Sequence, residues 1–184
     1  MAQPTQPLPV KLICGMISSR RELFDEAVWA LTQAFGPVDL VSEIMDFDLT
    51  DYYYEQMGRP LYRRFVSFTR LMGPDALAEV KLKTNQIEAN FTERGAAAQG
   101  GPKRSINLDP GYIAPSKLVL ASMKDFSHRI YLGRGVYGDL TLMYRKGKWE
   151  RLEWTFPDYA SGRYDAFLTE ARSRIVGKGK EKTK

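Results

Sequence analysis

The sequence predicts an α+β domain: one mixed, mostly antiparallel sheet of about six strands, with amphipathic helices covering one face. Three observations predict it. A strand-helix-strand pattern opens the chain, two stretches with apolar residues at helical spacing follow, and short strand-like runs separated by turn residues occupy the chain from Arg104 onward. The 184 residues suit one domain, and 43% apolar residues suffice for a single core.

In order, residues 1–9 are Pro-rich and expected to be disordered, and Val10 to Ile17 reads as a buried strand. Ser19 with Glu22 three residues later forms a capping-box pattern, and Leu23, Ala27, Ala30, Leu31 and Ala34 then recur at helical spacing. Gly36-Pro37 stops that helix before a strand from Val38 to Phe47. A helix is expected after Pro60, because Leu61, Phe65, Phe68 and Met72 fall on one stripe, and a longer one runs from Asp75 to about Arg94. In that longer helix Leu77, Val80, Ile87 and Phe91 form the packed face, and the side carrying Glu79, Lys81, Lys83 and Glu88 stays wet.

The loop GAAAQGGPK leads into four strands: Arg104 to Asp109, Lys117 to Met123, His128 to Tyr144 broken by glycines, and Trp149 to Thr155. Arg145-Lys146-Gly147-Lys148 is a hairpin turn. A last amphipathic helix presents Tyr164, Phe167, Leu168, Ala171 and Ile175. The domain is therefore expected to occupy 10–176, with 177–184 a flexible basic tail.

Several classes drop out on composition. No apolar run approaches the roughly 20 residues a membrane span needs, and the first nine residues lack the charge and apolar stretch of a signal peptide, so a cytoplasmic location without membrane association is expected. The single cysteine, Cys14, lies in an apolar run and reads as a packed thiol. The net charge is +5, but the last eight residues hold four lysines and one glutamate, a net of +3, which leaves the body at +2. A clustered basic footprint for nucleic acid is therefore missing from the folded part.

Strand parity is the strongest pointer to a working surface, which falls between Asn107 and Tyr159. If Ile106, Leu108, Ile130, Leu132, Leu140, Leu142, Leu152 and Trp154 face the core, then Asn107, Asp109, Arg129, Tyr131, Asp139, Thr141, Arg151 and Glu153 share the opposite, open face. The bland alternative is a solvated face of mixed charge. At the strand ends, NLDPGY places Asp109 before a Pro-Gly turn, and KDFSHR gathers Lys124, Asp125, the only histidine His128, and Arg129. Lysine, histidine and arginine together can hold a phosphate, and His128 beside Asp109 or Asp125 can act as a general base. The candidate catalytic set is Asp109, Lys124, His128 and Arg129; the candidate ligand-binding set is Asn107, Asp125, Tyr131, Asp139, Arg151, Glu153 and Asp158. In a regular strand His128 and Arg129 point to opposite faces, which sets the two against each other unless a bulge intervenes.

Other motifs lead elsewhere. Gly133 to Gly138 spells G-x-G-x-x-G, but a strand follows it where a dinucleotide fold requires a helix, so it reads as a bend in a long hairpin. Asp46, Asp48 and Asp51 could ligate Mg²⁺, while Thr50 or Asp51 capping a short helix is the competing reading, and no metal site is assigned. No cofactor is implied. The segments TDYYYEQMG, INLDPGYI, KLVLASMKDFSHRIYLGRGVYGDLTL and WTFPDY together resemble a bacterial domain family of unknown function whose members are often labelled GTP-binding proteins. The chain has neither a G-x-x-x-x-G-K-[ST] loop nor an Asn-Lys-x-Asp element, so the resemblance brings no catalytic assignment.

Three functions stay open. The first is a binding or catalytic site for a small anionic ligand, nucleotide or phosphate-bearing, on the polar sheet face. The second is an RNA-binding or ribonucleoprotein-associated module using Tyr131, Tyr137 and the basic tail. The third is a protein-protein adaptor working through Tyr52, Tyr53 and Tyr54.

Overall fold

In a computed structural model, which describes residues 1–97 and 103–179, nine strands form one antiparallel sheet. The strands are β1 (Val10–Ser18), β2 (Val38–Val41), β3 (Met45–Asp46), β4 (Tyr62–Met72), β5 (Asn107–Ala114), β6 (Lys117–Ser122), β7 (Arg129–Gly133), β8 (Val136–Arg145) and β9 (Lys148–Arg151). The helices are α1 (Leu23–Phe35), α2 (Tyr54–Met57), α3 (Leu77–Ala97), α4 (Pro157–Ala160) and α5 (Asp165–Gly179). The expected α+β class and single domain hold. The stretch read as a tail begins inside α5, and 180–184 lie outside the described residues, as do 98–102 of the Gly-Ala loop.

The sheet runs β2-β4-β1-β5-β6-β8-β7, with β3 also on β4 and β9 also on β8. Because β1 and β2 are each antiparallel to β4, they are parallel to each other, a β-α-β unit split by an inserted strand. That inserted strand is the segment expected as a helix after Pro60. Leu61, Phe65, Phe68 and Met72 fit a helical stripe, but the segment is an interior strand between β2 and β1 and is buried on both sides, from Phe65 to Phe68 without a break. Its β-branched and aromatic content suits a strand covered on both faces, where period-two alternation disappears.

Alternation along β1 assigns the layers. Leu12, Cys14 and Met16 pack with Phe24, Ala27 and Leu31 of α1 and with Val80, Ile87 and Phe91 of α3. Ile13 packs with Phe65, Ile113, Leu118, Leu120 and Leu142 against Tyr159 of α4 and Phe167, Leu168 and Ala171 of α5. Helices therefore stand on both faces, so the polar residues share theirs with α4 and α5. At one end of that second face Ile17, Phe47, Met57 and Leu61 form a smaller cluster under α2.

Local details refine the sequence reading. The Ser19/Glu22 pattern makes no side-chain cap, and α1 starts from Glu22 in helical geometry. Pro110-Gly111 is not a turn: both residues lie inside β5, opposite Cys14 and Ile13. The long glycine-broken strand is a hairpin, β7 and β8, turned at Gly133-Arg134-Gly135, where all three residues have positive φ. The expected β8–β9 turn forms at Lys146-Gly147, with Arg145 paired to Lys148. Among the described residues no helix is long and apolar enough to cross a membrane.

Candidate functional site

Arg63 is the residue that sequence reasoning missed. In β4 it alternates with Phe65, so it points to the α5 side of the sheet, yet it is 3% exposed. Its Nη1 donates to Asp158 Oδ2 at 3.1 Å and its Nη2 to the Tyr159 hydroxyl at 2.9 Å, both on α4. Nη2 also reaches Asp109 Oδ2 at 3.4 Å, two strands away. That reach crosses Gly15 of β1, where a Cβ would stand 2.6 Å from Nη2. Burial opposes the Arg63 charge, but Tyr159, Asp158, Tyr164 and Asp109 outweigh it and hold the guanidinium above its ordinary value. Burial pushes the Tyr159 hydroxyl well up, against the pull of Arg63. The signal for Arg63 was its inward parity in YRRFVSF, invisible while the segment was read as a helix.

Asp109 belongs to this buried centre rather than to His128. On its outer side lies Tyr53, whose hydroxyl is pushed up first by the Asp109 charge and then by burial. Next to it Arg104 donates to Glu88 Oε2 at 2.5 Å and to Asn107 Oδ1. Glu88 and Lys81, placed on the wet side of α3 by the sequence, are in fact buried. Strand β6 pairs with β5 only from Gly111 onward, so Leu108 has a backbone edge without a strand partner. The Leu108 N–H donates to Glu88 Oε1 at 2.7 Å, and Lys81 Nζ donates to its carbonyl at 2.9 Å, so two helix side chains replace the missing strand.

A second polar centre lies toward the β7 edge of the same face. Asp139 pairs with Leu120 of the α5-side core and with Arg129, so all three point the same way. Asp139, expected open, is 2% exposed. Its Oδ2 receives Arg129 Nε at 2.9 Å and lies 3.1 Å from His128 Nε2, and its Oδ1 accepts from the Thr141 hydroxyl at 3.1 Å. His128 and Arg129 thus meet on one carboxylate. The parity conflict does not arise, because β7 begins at Arg129 and His128 sits in the preceding turn, closed by the Arg129 N–H on the Phe126 carbonyl at 2.9 Å. The His128 ring stacks on Trp154 at 4.9 Å between centroids, and its Nδ1 is enclosed without a partner among the described residues. Arg129 Nη1 also donates to the Ser122 hydroxyl and the Lys124 carbonyl, each at 2.9 Å.

Tyr52 and Tyr53 lie between the two centres: the Asp109 charge acts on the Tyr53 hydroxyl, the two rings meet edge to face at 4.9 Å, and the Tyr52 hydroxyl meets the exposed Lys124 ammonium. The remaining candidates separate. Asp158 is committed to Arg63, and Arg151 turns away to Asp165 Oδ2 at 2.8 Å and to the Ala160 carbonyl. Glu153 and Asp125 are exposed, and Tyr131 is exposed with its ring 5.2 Å from that of Tyr137. Asp48 pairs with Arg163, and no metal-binding group of His, Cys, Asp and Glu occurs among the described residues. Two surface concavities, of about 510 and 340 Å³, lie elsewhere, between β9 and α5 and beside Trp29 of α1.

A family model described as a domain of unknown function (DUF4416) matches residues 8–174. The chain belongs to that family. Neither the curated proteins nor the solved structures give a match. Within this DUF4416 domain the matched span includes both polar centres, from Arg63 to Tyr164.

The two centres of the DUF4416 domain have different chemical capacities. The inner one is enclosed, and Arg63 faces two carboxylates, which makes it a tie between sheet and α4 rather than a place for a diffusing anion. At the outer one Asp139 balances Arg129, while the Lys124 ammonium has no carboxylate partner among the described residues.

Proposed function

We propose that the domain binds a small anionic ligand, a nucleotide or another phosphate-bearing molecule, at the outer end of the polar face around Lys124, His128 and Arg129. The observation that carries this is the meeting of His128 and Arg129 on the buried Asp139 carboxylate, beside the exposed Lys124 ammonium. A carboxylate that fixes the Arg129 guanidinium pre-organises its remaining N–H groups, and the neighbouring Lys124 charge adds attraction for phosphate oxygens. Exposed rings of Tyr52, Phe126 and Trp154 lie against these groups and supply flat apolar surface for a base. Asp109 is not part of this ligand site in our reading, since it serves Arg63. The single thiol, buried in the core, accords with a cytoplasmic setting.

A thermal-shift panel of nucleotides and sugar phosphates tests the proposal. A stabilising ligand is expected, and its effect should disappear in Lys124→Ala, a change at an exposed side chain. A broad panel without a hit, or a hit indifferent to Lys124, would overturn it.

The exposed Tyr131 ring, paired with Tyr137 on the β7–β8 hairpin, favours a second reading, stacking of single-stranded RNA bases. Salt-dependent RNA binding that survives removal of residues 177–184 and falls in Tyr131→Ala would support it. Binding lost entirely with that segment would reject it. For an adaptor surface at Tyr52, Tyr53 and Tyr54, the available area is small: Tyr53 packs on Phe47, and Arg59 covers the Tyr54 ring at 3.8 Å.

A further inference from the structure

The margins of the sheet are protected unequally. On one side β2 is four residues long and β3 two, and Asp39 of β2 is a charged side chain turned inward to Lys11. On the other side β8 carries β9, whose edge bears Lys148, Glu150 and Arg151, and then β7. Short strands and charges are the usual means of keeping a sheet edge from pairing with another chain. Strand β7, at five residues, is little longer, but it lacks an outward charge. It pairs with β8 alone, contains no proline or lysine, and leaves Ile130 72% and Leu132 42% exposed, where parity had placed both in the core. Its one charge, Arg129, is folded back onto Asp139.

We propose that β7 pairs antiparallel with β7 of a second copy of this chain, joining two sheets about a two-fold axis. A register centred on Tyr131 sets Ile130 of each copy against Leu132 of the other, on the face opposite the polar centres, so the exposed apolar pair is self-complementary. The charges that flank the strand select the second copy over an unrelated strand. Asp125 precedes β7 and Arg134 follows it at the hairpin tip, and neither has an ion-pair partner among the described residues. Antiparallel pairing brings Asp125 of each copy toward Arg134 of the other, giving two symmetry-related attractions at the ends of an apolar centre. A five-residue edge buries less than the roughly 800 Å² per partner of a standard interface, so the dimer dissociates on dilution.

Sedimentation velocity over a concentration series tests this with the full chain. The wild type is expected to pass from monomer to dimer as concentration rises. Ile130→Lys, which places a charge on the exposed edge, should weaken association roughly tenfold or more while the thermal midpoint stays near wild type. Asp125→Arg and Arg134→Asp should each weaken it, and the double variant, with its charges exchanged, should restore it. A monomer at all concentrations overturns the proposal, as does a dimer indifferent to Ile130→Lys or a double variant no better than the singles.

Discussion

Arg63 Nη1 donates to Asp158 Oδ2 at 3.1 Å inside the core, joining strand β4 to a four-residue helix otherwise anchored by Tyr159. A short helix cannot be stable alone, so α4 owes its position to tertiary contacts. Replacing Asp158 with alanine leaves a buried guanidinium with only Asp109 and tyrosine hydroxyls around it. The expected cost is roughly 3–5 kcal/mol in urea unfolding, the range for a broken buried ion pair. A loss below about 1 kcal/mol, the range of surface pairs, would mean that the pair is effectively solvated.

Gly15 is required for the same contact. An alanine there puts its Cβ 2.6 Å from Arg63 Nη2 and 2.8 Å from Phe65 Cε1, and neither group can retreat from the packed face without displacing Tyr159 or Tyr164. Gly15→Ala should lower stability by about 1–3 kcal/mol, as over-packing does. In an Arg63→Met background the penalty should shrink, and equal penalties in both backgrounds would place the clash elsewhere.

These two residues also mark where sequence reasoning stops. The strand-rich character of the second half, the β8–β9 turn, α1, α3 and α5 were legible because their apolar residues alternate or step in a single period, though β5 runs through the expected Pro-Gly turn. β4 was not, since burial on both faces removes the alternation that identifies a strand. Parity correctly grouped Asn107, Asp109, Arg129 and Asp139 on one face, but it could not show that α4 and α5 close part of that face. It failed at Leu140 and Leu142, which pack on opposite sides because the ladder slips between Leu118 and Val119. Lys81 and Glu88 look like ordinary solvated charges until the early end of β6 leaves Leu108 in need of them. The meeting of His128 with Arg129 depended on whether the strand began at 128 or 129, a margin no pattern resolves.

Acid should reveal the role of Asp39. Burial raises its carboxyl, but hydrogen bonds from Lys11 and Ser67 and the charges of Lys11 and Arg174 outweigh it and hold the group below its ordinary value of 3.8. A carboxyl lowered in the folded state stabilises the protein above its unfolded value, and that contribution is lost as pH falls through the folded value. Wild type should therefore lose stability steeply below about pH 4. Asp39→Asn should start less stable at neutral pH and lose less across the same window. Parallel curves for the two proteins would exclude Asp39 from the acid response.

Cys14 should be inert in the native protein. Burial first, then the charge of Asp109, push its thiol well above the ordinary value, and the side chain packs between α1 and α3. A thiol reagent needs the thiolate and access to it, and the fold denies both. One equivalent should react in guanidinium and essentially none in buffer over the same interval. Rapid native labelling would show that the helical layer over β1 opens readily.

Asp139 holds the β7 edge onto the sheet through side chains from three segments: His128 before the strand, Arg129 at its start and Thr141 beyond it on β8. Asp139→Ala removes the side-chain acceptor of His128 and Arg129, leaves Thr141 only the residue-139 carbonyl, and strips the Arg129 guanidinium of its counter-charge. The expected effects are a loss of roughly 3 kcal/mol and faster amide exchange over residues 126–133. Exchange in β1, central in the sheet and paired with β4 and β5, should stay slow. Asp139→Asn restores the volume and a side-chain oxygen but not the charge, so it should recover part of the stability and little of the protection at Arg129. Uniform acceleration across both strands would instead mean that the carboxylate supports the whole domain, and unchanged exchange at 126–133 that β7 is held by its backbone ladder alone.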